Sequence, residues 1–247
     1  MRHRIIYLLL LLLKWLCRLF YRYDWHWVGD VPPDPWRDFR LIAILNHTSL
    51  FEFLLAGGAP RRLIWRIARH GVVPIAAKTM RRPIVGRLWR LVAGNVLSIS
   101  RERDETWQQV LASIDPESMV VILPEGRMKR ANGLDKDGKE MTVRSGIVDI
   151  LEAIQEGDML LVYSEGLHHI QAPGEPFPRL FKTIRVRLEV IDVRRYRERL
   201  RAAAPGPRAY RRAVVADLTR RRDLYCDPGF DARGCPPVRH DGSRISR

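Results

Sequence analysis

Residues 46–52 of this sequence, Asn46-His47-Thr48-Ser49-Leu50-Phe51-Glu52, set an imidazole five positions ahead of a carboxylate. They follow an apolar run, residues 41–45 (LIAIL), of the kind that forms a buried parallel strand. Ligands of parallel sheets gather at the carboxyl ends of the strands, which is where His47 falls. A neutral imidazole takes a proton from a hydroxyl near neutral pH, and a carboxylate beside it fixes its tautomer and stabilises the imidazolium. On one continuous helix the offset would set the two side chains about 140° apart. A working pair therefore requires His47 in the strand-to-helix turn and Glu52 in the first helical turn. Ser49 to Glu52 also matches a capping box, in which the glutamate merely closes a helix start. The spacing leaves cap and catalyst equally open.

A second stretch, Ile122-Leu123-Pro124-Glu125-Gly126-Arg127, closes another apolar run. Proline ends a strand ladder, and glycine lets backbone approach a ligand. Arg127, Lys129 and Arg130 add positive charge. By composition alone this is a turn with a solvated basic run. Ser164-Glu165-Gly166 lacks the G-x-S-x-G elbow of a serine hydrolase. His168 and His169 are adjacent, so their side chains diverge, and no metal site is expected. Cys17, Cys226 and Cys235 have neither a disulfide framework nor metal-ligand spacing and are expected as free thiols.

The elements that would position these residues alternate along the chain. Residues 119–123 (MVVIL) and 159–163 (MLLVY) repeat the buried-strand pattern. Residues 184–190 (IRVRLEV) alternate, as a strand with one wet face. Asp104 and Ser145 open helices with apolar faces. The pattern predicts an α/β fold with a mostly parallel central sheet flanked by helices.

Residues 5–20 form an apolar run broken by Lys14 and Arg18. As a helix it would span about 24 Å, short of a hydrocarbon core of about 30 Å. With Trp15, Tyr21, Tyr23, Trp25 and Trp27 beside those cations, it reads as a helix dipping into one leaflet at the cytoplasmic face, with Lys14 and Arg18 at headgroup level. The expected organisation is a membrane-anchoring segment over 1–24, an α/β domain over 25–226 and a disordered basic tail over 227–247. The 247 residues carry 43 Lys and Arg against 28 Asp and Glu, a formal +15. From Arg179 onward the counts are 19 and 8. Such clustering seeks an anionic partner: nucleic acid, an acidic lipid surface or an acidic carrier protein. The arginine-rich stretches at 194–201 and 211–222 have few interleaved aromatics and no nucleic-acid motif, so a nucleic-acid partner is not expected.

Taken in order, the two stretches resemble the glycerolipid acyltransferase family, whose best-known member is 1-acylglycerol-3-phosphate acyltransferase. Residues 46–52 are similar to its NHxxxxD motif, with Glu52 in the last place, as in the related lipid A acyltransferases. Residues 123–126 resemble its Pro-Glu-Gly motif. Gly94 to Arg101 resembles its glycine-strand-arginine motif, one residue longer than usual. Ala77-Lys78, with Pro83 and Gly86, resembles the basic segment before that. Arg144-Ser145-Gly146 resembles the Lys-x-Gly that follows Pro-Glu-Gly. Two departures stand out: Arg127 replaces a frequent threonine, and no proline follows residues 161–163. The resemblance implies an acyltransferase without cofactor or metal. It gives His47 as base and Glu52 as its partner, with Asn46, Lys78, Arg101, Glu125, Gly126 and Arg127 holding the acceptor. It further implies an acyl-carrier-protein (acyl-ACP) or acyl-CoA donor, a lysophospholipid acceptor and a bacterial inner-membrane setting. A hydrolase of lipid esters, an acyltransferase for another lyso-lipid or glycolipid, and an inactive relative remain alternatives.

Overall fold

The computed structural model describes residues 2–226 apart from 82, 93, 94, 101 and 176. Gly94, Arg101, Cys235 and the expected tail over 227–247 therefore lie outside the described residues. In chain order the elements are α1 (Arg2–Phe20), β1 (Arg22–Trp27), β2 (Phe39–Leu45), a 3₁₀ helix (Glu52–Gly57), α2 (Arg61–His70), β3 (Gly71–Ala76), α3 (Ala77–Met80), α4 (Pro83–Val92), β4 (Asn95–Ile99), α5 (Glu105–Ala112), β5 (Met119–Ile122), α6 (Gly146–Ala153), β6 (Asp158–Ser164), β7 (Thr183–Asp192), α7 (Val193–Ala203) and α8 (Pro207–Tyr225).

The strands form one seven-stranded sheet in the order β1-β7-β6-β2-β5-β3-β4. Neighbours run parallel except β6 and β7, which are antiparallel. The expected α/β fold with a mostly parallel sheet is what the chain adopts. Apart from Arg40, Asp158 and Ser164 near their ends, β2, β5 and β6 are apolar because both faces of the sheet are covered. Leu41, Ala43, Leu45, Met159, Leu161 and Tyr163 share a core with α5, α6, α7 and α8. Phe39, Ile42, Leu160 and Val162 share the other with α1, α2 and the 3₁₀ helix. β7 alternates as its sequence suggests, with Ile184, Val186 and Leu188 buried. Its other face is not simply wet, because Glu189 accepts hydrogen bonds from Tyr163 and from Arg221 of α8.

α1 turns Ile6, Leu10, Lys14 and Cys17 inward. Ile5, Leu8, Leu12, Leu16 and Leu19 form an exposed stripe on its other side. No helix among the described residues is long and apolar enough to cross a membrane. Lys14 departs from its expected headgroup level. It is buried, and its ammonium donates to the carbonyls of Gly57 (3.1 Å) and Ala59 (2.5 Å). The reason is local: the 3₁₀ helix ends against α1 with carbonyls that lack intrahelical donors, and Lys14 supplies them. Of the aromatics expected at the interface, Trp15 is exposed, whereas Tyr21 is buried. Tyr23 donates to Leu54 O at 2.8 Å.

Candidate active site

His47 sits in the turn between β2 and the 3₁₀ helix, which Glu52 opens. The turn begins with Asn46 in the left-handed region (φ 66°), a conformation Asn tolerates better than most residues. Two buried residues, Ser164 and Glu125, hold it there. The Nδ2 of Asn46 donates to Ser164 O (2.9 Å), its N–H donates to Glu125 Oε1 (3.1 Å), and the N–H of His47 donates to Glu125 Oε2 (2.7 Å). Downstream, the N–H groups of Thr48 (3.0 Å) and Ser49 (2.9 Å) donate to Glu52 Oε1. That oxygen also lies 2.9 Å from His47 Nδ1. Glu52 thus caps the turn and meets the imidazole with the same oxygen. The close seat of the 3₁₀ helix requires glycines: a Cβ on Gly57 would fall 2.0 Å from the Tyr23 hydroxyl, and one on Gly58 2.3 Å from the Trp25 ring.

Glu125 is 2 % exposed, so it sits among protein groups rather than at the surface. Both its oxygens are engaged by the backbone of Asn46 and His47, and Arg222 of α8 adds a third donor at 3.3 Å. Arg222 also reaches Met141 O (2.7 Å). The Glu125 carbonyl accepts from Arg144 Nε (3.2 Å). Arg222 had no signal in the sequence, standing 97 residues from Glu125 in an arginine-rich run. Gly126 has φ 63°, and its own N–H donates to Leu123 O (3.0 Å). Arg127 pairs with the buried carboxylate of Asp135. The Lys139 N–H, and after it Arg127, hold Asp135 down to about 2, so this carboxylate stays ionised at any ordinary pH. His168 and His169 turn to separate carbonyls, Lys129 O and Thr183 O, each at 2.8 Å.

His47 and Glu52 open into a cavity of about 760 Å³ between one sheet face and the layer of α1, α2 and the 3₁₀ helix. Its deep part is apolar, with Leu10, Leu13, Ile42, Leu63, Val121 and Val162 in the wall. Its mouth carries Lys78, Arg103, Arg127, Arg130, Lys136 and Arg144. Lys78, Gly126 and Arg127 therefore share the cavity with His47, while Asn46 and Glu125 stand behind it. Arg144 enters as part of the Arg144-Ser145-Gly146 match, whereas Arg103, between β4 and α5, and Lys136, between β5 and α6, were not singled out by sequence because each sits in a loop with no motif around it.

An α/β sheet thus sets a histidine–glutamate pair at its strand ends, beside a cavity with a largely apolar wall. The chain matches no family model and no curated protein. Among solved structures it is similar in fold to the 1-acyl-sn-glycerophosphate (LPA) acyltransferase PlsC from Thermotoga maritima. The TM-score is 0.52 at 15 % identity, over 86 % of this chain and 77 % of that one. That likeness is one of fold.

Proposed function

We propose that this chain is a membrane-associated acyltransferase that moves a fatty acyl group from an acyl-ACP or acyl-CoA thioester to the hydroxyl of a lysophospholipid, 1-acylglycerol-3-phosphate giving phosphatidic acid. The observation that carries the reading is the 2.9 Å His47–Glu52 contact at the opening of a cavity with an apolar depth and a cationic mouth. The mouth suits an anionic head group and the depth an acyl chain. Support also comes from the PlsC-like fold and from the order of the sequence motifs.

In this mechanism Glu52 holds the imidazole through Nδ1, and Nε2 takes the proton of the acceptor hydroxyl. The alkoxide attacks the thioester carbonyl. The tetrahedral intermediate collapses to the new ester, and the thiol leaves with the proton that the imidazolium returns. Neither a covalent acyl-enzyme nor a metal is part of this scheme. Lys78 and Arg127 approach the head group from the mouth; Asn46 and Glu125 shape the turn that presents His47. The site lies beside α1, whose exposed apolar stripe rests in one leaflet at the cytoplasmic face.

The test is transfer of labelled acyl groups by detergent-solubilised protein to a panel of lyso-lipids. His47→Ala should lower kcat by about 10²–10⁴-fold with folding intact. Glu52→Gln is the finer probe. The amide still accepts from Thr48 and Ser49, so stability should change by less than about 1 kcal/mol. It cannot stabilise an imidazolium as a carboxylate does, so kcat should still fall about 10²-fold. A wild-type protein that transfers to no acceptor, or that only releases free fatty acid, would sink the proposal.

A further inference from the structure

The loop between β6 and β7 ends in a cluster of exposed apolar side chains. Phe177 is 80 % exposed and Phe181 71 %, with Leu180 exposed between them. Phe181 also holds φ 59°, the left-handed region that a bulky residue avoids. The loop is tied to the end of α1: the Phe181 N–H donates to Phe20 O (2.7 Å), and the two rings meet edge-on with centroids 6.1 Å apart. Leu12, Leu16 and Leu19 continue the apolar surface along α1. Arg18, Arg22 and Lys182 are exposed around it, and the Arg22 N–H donates to Lys182 O (3.1 Å). Pro173 and Gly174 of the same loop line the catalytic cavity.

We propose that residues 177–181 are a second membrane-inserting element, which enters an anionic leaflet beside α1 and brings the cavity down to the lipid surface. Aromatic rings carried past a rim of cations match the layering of a leaflet, apolar below and anionic at the headgroups. The patch is continuous with the exposed stripe of α1, so both elements meet one plane. The proposal rests on the membrane setting given above and extends it to a segment distant in sequence from α1.

The test uses the full chain with Cys235→Ser, because Cys17 and Cys226 are buried and shielded from labelling. An environment-sensitive fluorophore is attached to Phe177→Cys and, as a control, to Arg208→Cys at the exposed start of α8. On vesicles of phosphatidylglycerol and phosphatidylcholine, the label at 177 should shift to the blue and the label at 208 should not. A Phe177→Ser/Leu180→Ser/Phe181→Asn variant should keep its melting temperature, since Asn accepts the left-handed backbone. Its vesicle partition should fall about tenfold or more, the effect of withdrawing even one ring from the apolar phase. A label at 177 that keeps its aqueous emission on bound protein overturns the proposal. So does a blue shift without vesicles, which would mark a contact between copies of the chain. Acyl transfer in detergent is scored separately: transfer without insertion removes the loop alone, and insertion without transfer removes only the acyltransferase reading.

Discussion

Two buried carboxylates flank His47, and they act on different parts of it. Glu52 meets the ring, whereas Glu125 grips the backbone at Asn46 and His47. In the proposed mechanism a change at Glu125 should therefore misplace the base rather than loosen the acceptor. Glu125→Gln turns one acceptor oxygen into a donor facing an N–H, which tilts the turn. A displacement of about 1 Å in a catalytic group costs up to about 10²-fold in rate. The expected result is a kcat reduced about 10–10²-fold with acceptor KM within about twofold of wild type. An acceptor KM that rises while kcat holds would instead put Glu125 against the head group, as the family resemblance implies. Sequence placed His47 and Glu52 on the correct side of a strand-to-helix turn because that argument needs only local spacing. It gave Glu125 only as an acceptor-holding group, through the resemblance, because the backbone groups that Glu125 grips stand 78 and 79 residues away. Arg222 was illegible for the same reason, being one arginine among many until α8 folds across the turn.

The 3₁₀ helix is where catalytic geometry meets the proposed anchor. Its first residue is Glu52, and Lys14 of α1 holds the carbonyl of its last residue, Gly57, and that of Ala59 just beyond it. Burial, and then the charges of Arg18 and Arg61, lower the Lys14 ammonium to about 8 from an ordinary 10.5. Between those values the unfolded chain binds more protons than the folded one, so stability should rise as pH climbs from about 8 to 10.5. The gain is at most about 3.5 kcal/mol, because each pKa unit is worth about 1.4 kcal/mol, and water reaching the ammonium lowers it. Below pH 8 both states are protonated and Lys14 contributes no slope. Lys14→Met should flatten this rise in thermal melts taken from pH 7 to 10. It should also leave two carbonyls without their donor, at about 1–3 kcal/mol. An unchanged pH slope in Lys14→Met would show that the ammonium reaches water. The buried strands were legible as apolar runs because both sheet faces are covered. Lys14 was misplaced because a lysine in an apolar helix reads as a headgroup anchor unless the carbonyls it meets are known.

At the scale of the whole molecule the sheet separates two surfaces that sequence could not tell apart. α1 covers one face, and the basic helices α7 and α8 cover the other. With the α1 stripe in a leaflet, those arginines face away from the bilayer, so their charge is better matched to the anionic carrier of the thioester. Many are already neutralised within the fold: Arg194 pairs with Glu156, Arg201 with Glu152, and Arg220 and Arg221 with Asp217. Arg208 and Arg212 are exposed and have no acidic partner among the described residues. They flank Arg211, whose partner Asp149 also binds Arg103 at the cavity mouth. An acidic carrier seated on this end of α8 would lie beside the entrance its acyl chain must use. Arg208→Glu/Arg212→Glu should then raise the KM for an acyl-ACP donor about tenfold and weaken its dependence on salt. Such rim charges act on encounter, and salt screens them within about 10 Å. Vesicle partition of the same variant should stay at the wild-type value, because neither residue approaches the α1 surface. The opposite result, with vesicle binding lost and donor KM unchanged, would mean that the bilayer meets α8, and the proposed orientation of the molecule would have to be reversed.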